Sequence, residues 1–195
     1  MKLVLATQNP KKLKEMNEIL SHLGVEVVSE AELGVRIEVE ETGETFTDNA
    51  RLKATAVMQA TGLPAVADDS GLCVDALNGG PSARFGGEGL DDKGRYTLLL
   101  EMLRGQTDRA AHFHTSIVCA FPNGDELVCE GECPGTIAFA PMGEGGFGYD
   151  PVFFVPELRK TFGQLTAEEK ASVSHRGKAL RAFAAALDDY LKGNE

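Results

Sequence analysis

The chain has 195 residues, 43% of them hydrophobic, and a formal net charge of −11 at pH 7. That length supports one domain, 1–195, with a substantial core, and no apolar run approaches the roughly 18 residues of a membrane span. The acidic balance argues against a nucleic-acid polymer as partner, because such partners need a basic footprint.

Lys2 to Ala6 reads as a first buried strand, too brief in its apolar part for a signal-peptide core, so a cytoplasmic protein is expected. Asn9 suits a helix N-cap and Pro10 the first helical position. Leu13, Met16, Ile19, Leu20 and Leu23 then recur at helical spacing, with Gly24 as the expected stop. A strand therefore leads directly into a helix N-terminus that carries Thr7, Gln8, Asn9, Lys11 and Lys12. Free N–H groups and the positive end of the helix dipole favour phosphate at such a place. The glycine spacing of a P-loop is absent, and an ordinary capped helix with surface lysines fits the same residues.

Val25 to Ser29 predicts a second strand. The acidic run Glu38-Val39-Glu40-Glu41-Thr42-Gly43-Glu44 is expected to be mostly solvated, with one carboxylate as a candidate metal ligand. Thr45 to Asp48 has the form of a capping box, with Asp in place of Glu. It opens a helix to about Thr61, closed by Gly62. Phe46, Ala50, Ala54, Val57 and Met58 lie on one side of that helix, and Asn49 and Lys53, four apart, share another.

Pro64 to Ala67 predicts a short buried strand that ends in Asp68, Asp69, Ser70 and Gly71. In open α/β sheets, ligands sit beyond the carboxyl ends of strands. Adjacent carboxylates repel unless a cation or proton is shared, and hard oxygen ligands suit Mg²⁺. Solvated acids at a strand-to-turn junction suit the same residues. Leu72 to Leu77 reads as a further strand, and Asn78 to Gly89 as a loop. A helix follows from near Asp91, with Leu98, Leu99, Met102 and Leu103 inward and Gly105 as stop.

Ala111 to Phe121 is the longest strand candidate, and Pro122-Asn123-Gly124-Asp125 is a hairpin signal. Glu126 to Glu132 would return, and Thr136 to Ala140 would form another short strand. Antiparallel segments after an α/β alternation predict a mixed sheet, with the hairpin at an edge or in a small lobe. Cys73, Cys119, Cys129 and Cys133 show no metal or redox spacing and are expected to be buried, reduced thiols.

Gly143 to Pro151 is a glycine-rich loop in which Phe147 offers a flat face for a base, while Tyr149 is read as a core plug. Thr166-Ala167-Glu168-Glu169 is a capping box that opens a short helix holding Lys170. Ser174 caps the final helix, placing His175 and Arg176 in its first turn, where cations oppose the dipole unless an anion is also present. Leu180, Phe183, Ala184, Leu187 and Leu191 form its inward stripe.

Five pieces in order carry a resemblance: Thr7-x-Asn9-x-x-Lys12, Glu40-x-x-Gly43-x-Thr45-Phe46, Asp68-Asp69-Ser70-Gly71, Gly146-Phe147-Gly148-Tyr149-Asp150-Pro151 and Ser174-His175-Arg176. Together, over nearly the whole chain, they resemble the inosine triphosphate pyrophosphatase family. The resemblance implies a mixed α/β fold, an elongated central sheet flanked by helices, with two lobes and an active-site cleft between them. It implies a homodimer, a Mg²⁺ requirement, and hydrolysis of ITP, dITP and XTP to the monophosphate and pyrophosphate. By the same resemblance, Thr7, Gln8, Asn9, Pro10, Lys11 and Lys12 hold the triphosphate and Lys53 contacts phosphate. Glu40 and Asp69 bind Mg²⁺, Asp69 is also the proton acceptor, and Ser70 touches substrate. Phe147, Gly148, Tyr149, Asp150, Lys170, His175 and Arg176 form the nucleotide pocket.

The chain departs from that family at Gly80-Pro81-Ser82-Ala83-Arg84, where the family usually has a longer segment resembling Pro-Gly-Val-Tyr-Ser-Ala-Arg. The residues alone leave Asp68 as a rival to Asp69 for the base. They also leave open a pyrophosphatase acting on modified pyrimidine nucleotides, a nucleotide-binding sensor without turnover, and a phosphatase releasing orthophosphate.

Overall fold

The computed structural model describes residues 1–7, 9–78 and 89–193. Among these, seven strands form one mixed sheet in the order β2-β1-β3-β4-β5-β6-β7, accompanied by five α-helices. The strands are β1 (Lys2–Leu5), β2 (Glu26–Ser29), β3 (Ala65–Val74), β4 (Ala110–Ala120), β5 (Glu126–Ile137), β6 (Phe153–Val155) and β7 (Lys160–Thr161). The helices are α1 (Pro10–Leu20), α2 (Phe46–Thr61), α3 (Asp92–Met102), α4 (Ala167–Val173) and α5 (His175–Gly193). No helix among the described residues is long and apolar enough to cross a membrane. The chain divides into two compact units, to which β3, β4 and β5 each contribute residues: Met1–Ser70, Thr115–Gly131 and Lys178–Glu195 make the first, Gly71–His114 and Glu132–Gly177 the second.

In the first unit β1 pairs in parallel with β2 and β3, in register Val4↔Val28 and Val4↔Ala65. A parallel strand covered on both faces reads as a continuous apolar run, and Leu3, Val4 and Leu5 are fully buried. Leu3 and Leu5 pack with Met16 and Leu20 of α1 and with Leu180, Phe183 and Leu187 of α5. Val4 packs in a separate cluster with Val57 of α2. Each helix starts where its side chains dictate. Asn9 caps α1 by accepting from the Lys11 N–H, and Thr45 and Asp48 form the reciprocal box that opens α2. Gly62 ends α2 at φ 69°, a left-handed geometry that glycine adopts without strain. Helix α1 stops at Leu20, and a 3-10 turn over Ser21–Leu23 bridges to Gly24.

The second unit is built on Phe113, Phe153 and Phe162, packed with Leu72, Leu99, Leu103, Ile137, Tyr149 and Val152. The short strand β6 pairs antiparallel with β5 and β7. The capping box of Thr166 and Glu169 opens α4, which has only seven residues.

Five expectations from sequence are corrected here. Asp68 to Gly71 does not end a strand: β3 runs unbroken from Ala65 to Val74. Turn formers hold extended geometry there because their polar groups find tertiary partners, described below. The segments around Cys133 and Thr136 are likewise one strand, β5, which at 12 residues exceeds the 11 of β4. Pro134 is tolerated because the registered pairing with β6 begins at Thr136, beyond it. The hairpin closed by Phe121 N–H to Asp125 O at 3.0 Å lies inside the strand order, not at its edge. Met102 is exposed, while Leu99 and Leu103 are fully buried. Three cysteines are buried, as expected, while Cys73 is half-buried; none of the four is in a disulfide.

Candidate functional site

The first unit gathers its charged candidates on α1, α2 and β3. The Lys12 Nζ donates to Asp68 Oδ2 at 2.7 Å, and the Asp68 side chain is only 3% exposed. One helix over, Lys53 Nζ donates to the backbone carbonyl of Asp68 at 2.8 Å and to Glu41 Oε1 at 3.0 Å, and reaches Asp69 Oδ1 at 3.4 Å. Three oxygens thus converge on one ammonium. Burial pushes the Asp69 carboxyl above its ordinary value and the nearby Glu41 adds to the rise, against the lowering pull of Lys53. Asn49, on the same face of α2 as Lys53, accepts from the Gly43 N–H at 2.8 Å, and its side chain pulls the Asp69 carboxyl down. The acidic segment is thereby fastened to α2 at Gly43, and this brings Glu41, not Glu40, beside Lys53. Glu40 is exposed. In an extended segment neighbouring side chains point apart, so only one of the two acids can face α2.

The turn from β1 to α1 uses its own polar groups: the Asn9 N–H donates to Thr7 Oγ1 at 3.2 Å. Pro10 is the first residue of α1, and Lys11 behind it is exposed. Thr7 borders a pocket of about 300 Å³ that Lys53, Glu30 and Glu38 also line. It borders a second of about 330 Å³, lined by Asn9, Pro10 and Arg36. The first places Thr7 and Lys53, predicted from separate motifs, around one space at the lower end of ligand-pocket sizes. Ser70 is half-buried in β3. Gln8 and the segment Pro81 to Arg84 lie outside the described residues.

The second unit gathers an aromatic and cationic set. Asp150, 3% exposed, accepts from Lys170 Nζ at 2.6 Å and from the Phe147 N–H at 2.9 Å. Gly146 sits at φ 79°, and a Cβ there would collide with the Asp150 carboxylate, so this turn requires glycine. Phe147 is 76% exposed, with the Lys170 ammonium 4.8 Å from its ring centroid. Tyr149 is a core residue, as expected; burial pushes its phenol up to about 12. The Gly148 N–H donates to Asp92 Oδ2 at 2.8 Å. Ser174 accepts from the Gly177 N–H at 3.0 Å and so caps α5, whose first turn holds His175 and the half-buried Arg176. The His175 imidazole lies flat on Phe113, with centroids 4.7 Å apart.

Sequence reasoning missed Glu41, Asp92 and Phe113. The first had no local signal to distinguish it from Glu40. Asp92 reads only as an acid in the first turn of a helix, and Phe113 as an ordinary strand residue. Asn49 was signalled by its four-residue spacing from Lys53.

Fold and side-chain chemistry define the class: an α/β protein whose lysine and carboxylate set suits a phosphorylated ligand and whose aromatic set suits a flat ring. The chain belongs to the Ham1 family, whose model matches residues 3–186. It is 53% identical over 186 residues to the dITP/XTP pyrophosphatase of Desulforamulus reducens, covering 93% of this chain and 92% of that one. It is 48% identical over 196 residues to the dITP/XTP pyrophosphatase of an Exiguobacterium species, covering 99% and 100%. The solved structure of the Staphylococcus aureus Ham1 protein superposes with a TM-score of 0.91 at 39% identity, covering 100% of both chains.

Proposed function

We propose that this chain hydrolyses dITP, ITP and XTP to the nucleoside monophosphate and pyrophosphate, removing these nucleotides from the pool before they enter DNA or RNA. The relatives supply the name of the activity. The observation that carries it to this chain is the Lys53 ammonium, held by Glu41, Asp69 and the Asp68 carbonyl beside the Lys12–Asp68 pair. A triphosphate brings several negative charges, and here two lysines of an acidic chain stand together with carboxylates between them.

The acceptors around Lys53 are carboxylate and carbonyl oxygens, the hard ligands that Mg²⁺ takes. The residues present therefore fit the metal. Asp69 would hold it, with Glu40 as the family resemblance implies, or with Glu41, its neighbour across Lys53. Bound there, Mg²⁺ would offset the charge that develops on the phosphates.

The chain's own groups supply the rest. Thr7, Gln8, Asn9, Pro10, Lys11 and Lys12 take the triphosphate, Lys53 a phosphate oxygen, and Ser70 an adjoining contact. Asp69 accepts the proton of the attacking water, the role that the family resemblance implies for it. Asp68, buried against Lys12, acts as the anchor of that lysine. Phe147, Gly148, Tyr149, Asp150, Lys170, His175 and Arg176 take the nucleoside. Tyr149 contributes through its backbone, since its ring belongs to the core.

Selectivity against adenine follows from purine position 6, a carbonyl in hypoxanthine and xanthine and an amino group in adenine. Donors from Arg176 or nearby N–H groups pair with the first and are left unpaired by the second, which rejects the wrong base by roughly 10⁴-fold in sites of this kind. A cytoplasmic homodimer, working as one catalytic domain over 1–195 with two lobes and a cleft, belongs to this reading on the strength of the family resemblance.

Product analysis with ITP, XTP, GTP and ATP, with and without Mg²⁺, tests it. The expected result is Mg²⁺-dependent pyrophosphate from ITP and XTP and little from ATP or GTP. Orthophosphate as product, or no turnover, overturns the reading.

A further inference from the structure

Two rings of the second unit lie beneath side chains assigned to the nucleoside. Phe113, in β4, and Phe162, in the 3-10 turn Phe162–Gln164, are parallel, with centroids 5.5 Å apart and planes 5° apart. The His175 imidazole continues that alignment, 4.7 Å from Phe113 at 12° and 6.5 Å from Phe162 at 10°. The Lys170 ammonium stands 5.4 Å from the Phe162 centroid. Phe153 belongs to the same core but meets Phe113 and Phe162 edge-on, at 63° and 68°.

A histidine in the first turn of a helix has free rotation about its second side-chain torsion unless something fixes the ring plane. A flat ring below it does so, and thereby sets where the two imidazole nitrogens point. A ring face also attracts an ammonium directionally. One aromatic block thus sets the plane of a donor-bearing ring and adds a face to the ammonium that Asp150 holds at 2.6 Å, the two drawn from different helices. A branched aliphatic of similar volume would fill the same space without defining either orientation.

We propose that Phe113 and Phe162 are positioning residues for nucleoside recognition: their parallel rings hold the His175 imidazole and the Lys170 ammonium, and through them set the preference for 6-oxo over 6-amino purines. The proposal rests on the reading of His175 and Lys170 as nucleoside contacts given above.

The test compares Phe113→Leu and Phe162→Leu with Phe153→Leu, a control from the same core. Steady-state kinetics on ITP and ATP are combined with NMR of the imidazole resonances in isotope-labelled protein. Phe113→Leu and Phe162→Leu should raise KM for ITP roughly three- to tenfold, hold kcat within about twofold, and lower the ITP-to-ATP ratio of kcat/KM. Phe153→Leu should lose comparable thermal stability yet keep the native KM and ratio. Phe113→Tyr, which keeps a ring, should restore both. In wild type the His175 carbon-bound protons should be ring-current shifted, and Phe113→Leu should abolish that shift; this measurement needs no folded Phe162 variant. Equal kinetic changes in all three leucine variants would reduce the rings to core packing and overturn the proposal, as would an unshifted His175 in wild type. His175→Ala separates the two readings: if it leaves KM unchanged, the nucleoside assignment itself has failed; if it raises KM while Phe113→Leu does not, only the positioning role has failed.

Discussion

Lysines in the two units are held in different ways. In the first, Lys12 and Lys53 are engaged by Asp68, Asp69, Glu41 and a carbonyl, all oxygen acceptors. In the second, Lys170 has one buried carboxylate, Asp150, and two ring faces, Phe147 and Phe162. A lysine held by carboxylates can exchange them for phosphate oxygens, because both are anions competing for the same donors. The ring faces beside Lys170 are contacts that an incoming anion does not compete for. The first arrangement suits charge that is redistributed during a reaction, the second a surface against which a ring is read.

The comparison breaks most sharply at Asp69. Asp69→Asn should lower kcat about 10²- to 10⁴-fold, the usual contribution of a general base. The thermal midpoint should hold or rise, because the change removes a desolvated carboxylate that Glu41 repels. Unchanged turnover would place the chemistry elsewhere. Arg176→Ala probes the other unit: the rate on ITP should fall roughly 10- to 100-fold, while ATP turnover and thermal stability change little. An unaltered ITP rate would remove Arg176 from the base pocket.

A smaller effect should come from Asp150→Asn, which keeps the shape and the acceptor for the Phe147 N–H but deprives Lys170 of its charge partner. KM should rise with kcat nearly constant, and stability should fall by about 2 kcal/mol in chemical denaturation. A fall in kcat as large as that of Asp69→Asn would erase the distinction between the units. The smallest expected effects separate the two capping boxes. Thr45→Ala and Thr166→Ala should each cost about 1 kcal/mol. Thr166 opens a helix of only seven residues that carries Lys170, so its loss should also raise KM; Thr45 opens one of 16 residues, and calorimetry should register its loss while kinetics do not.

Much of this site was legible in the chain itself. The caps at Asn9, Thr45 and Thr166, the closing turn at Gly62 and the inward stripe of α5 follow from interactions within one or two helical turns. The residue types of the site were legible too, because turns that approach ligands use glycine, and phosphate chemistry draws on lysine and carboxylate. Tyr149 in the core and Phe147 in solvent could be told apart from the loop they share, since a glycine-flanked ring has little of its own chain to pack against.

Other features depended on partners far along the sequence. Asp68-Asp69-Ser70-Gly71 has the local preference of a turn, and it stays extended with its carboxylate against a lysine 56 residues away. Glu40 and Glu41 are equivalent to any local rule; the Gly43–Asn49 hydrogen bond decides which of them faces Lys53. Asp92 reaches Gly148 across another 56 positions, and Phe113 meets His175 only because their strand and helix pack in one core. The sequence by itself therefore determined the helix starts and the chemistry available, since these rest on short-range sterics and hydrogen bonding, while the ends of β3 and β5 did not follow from it. Only the tertiary structure decided which carboxylate meets which lysine and which ring lies under which, because long-range contacts override local preference wherever a buried charge must find its partner.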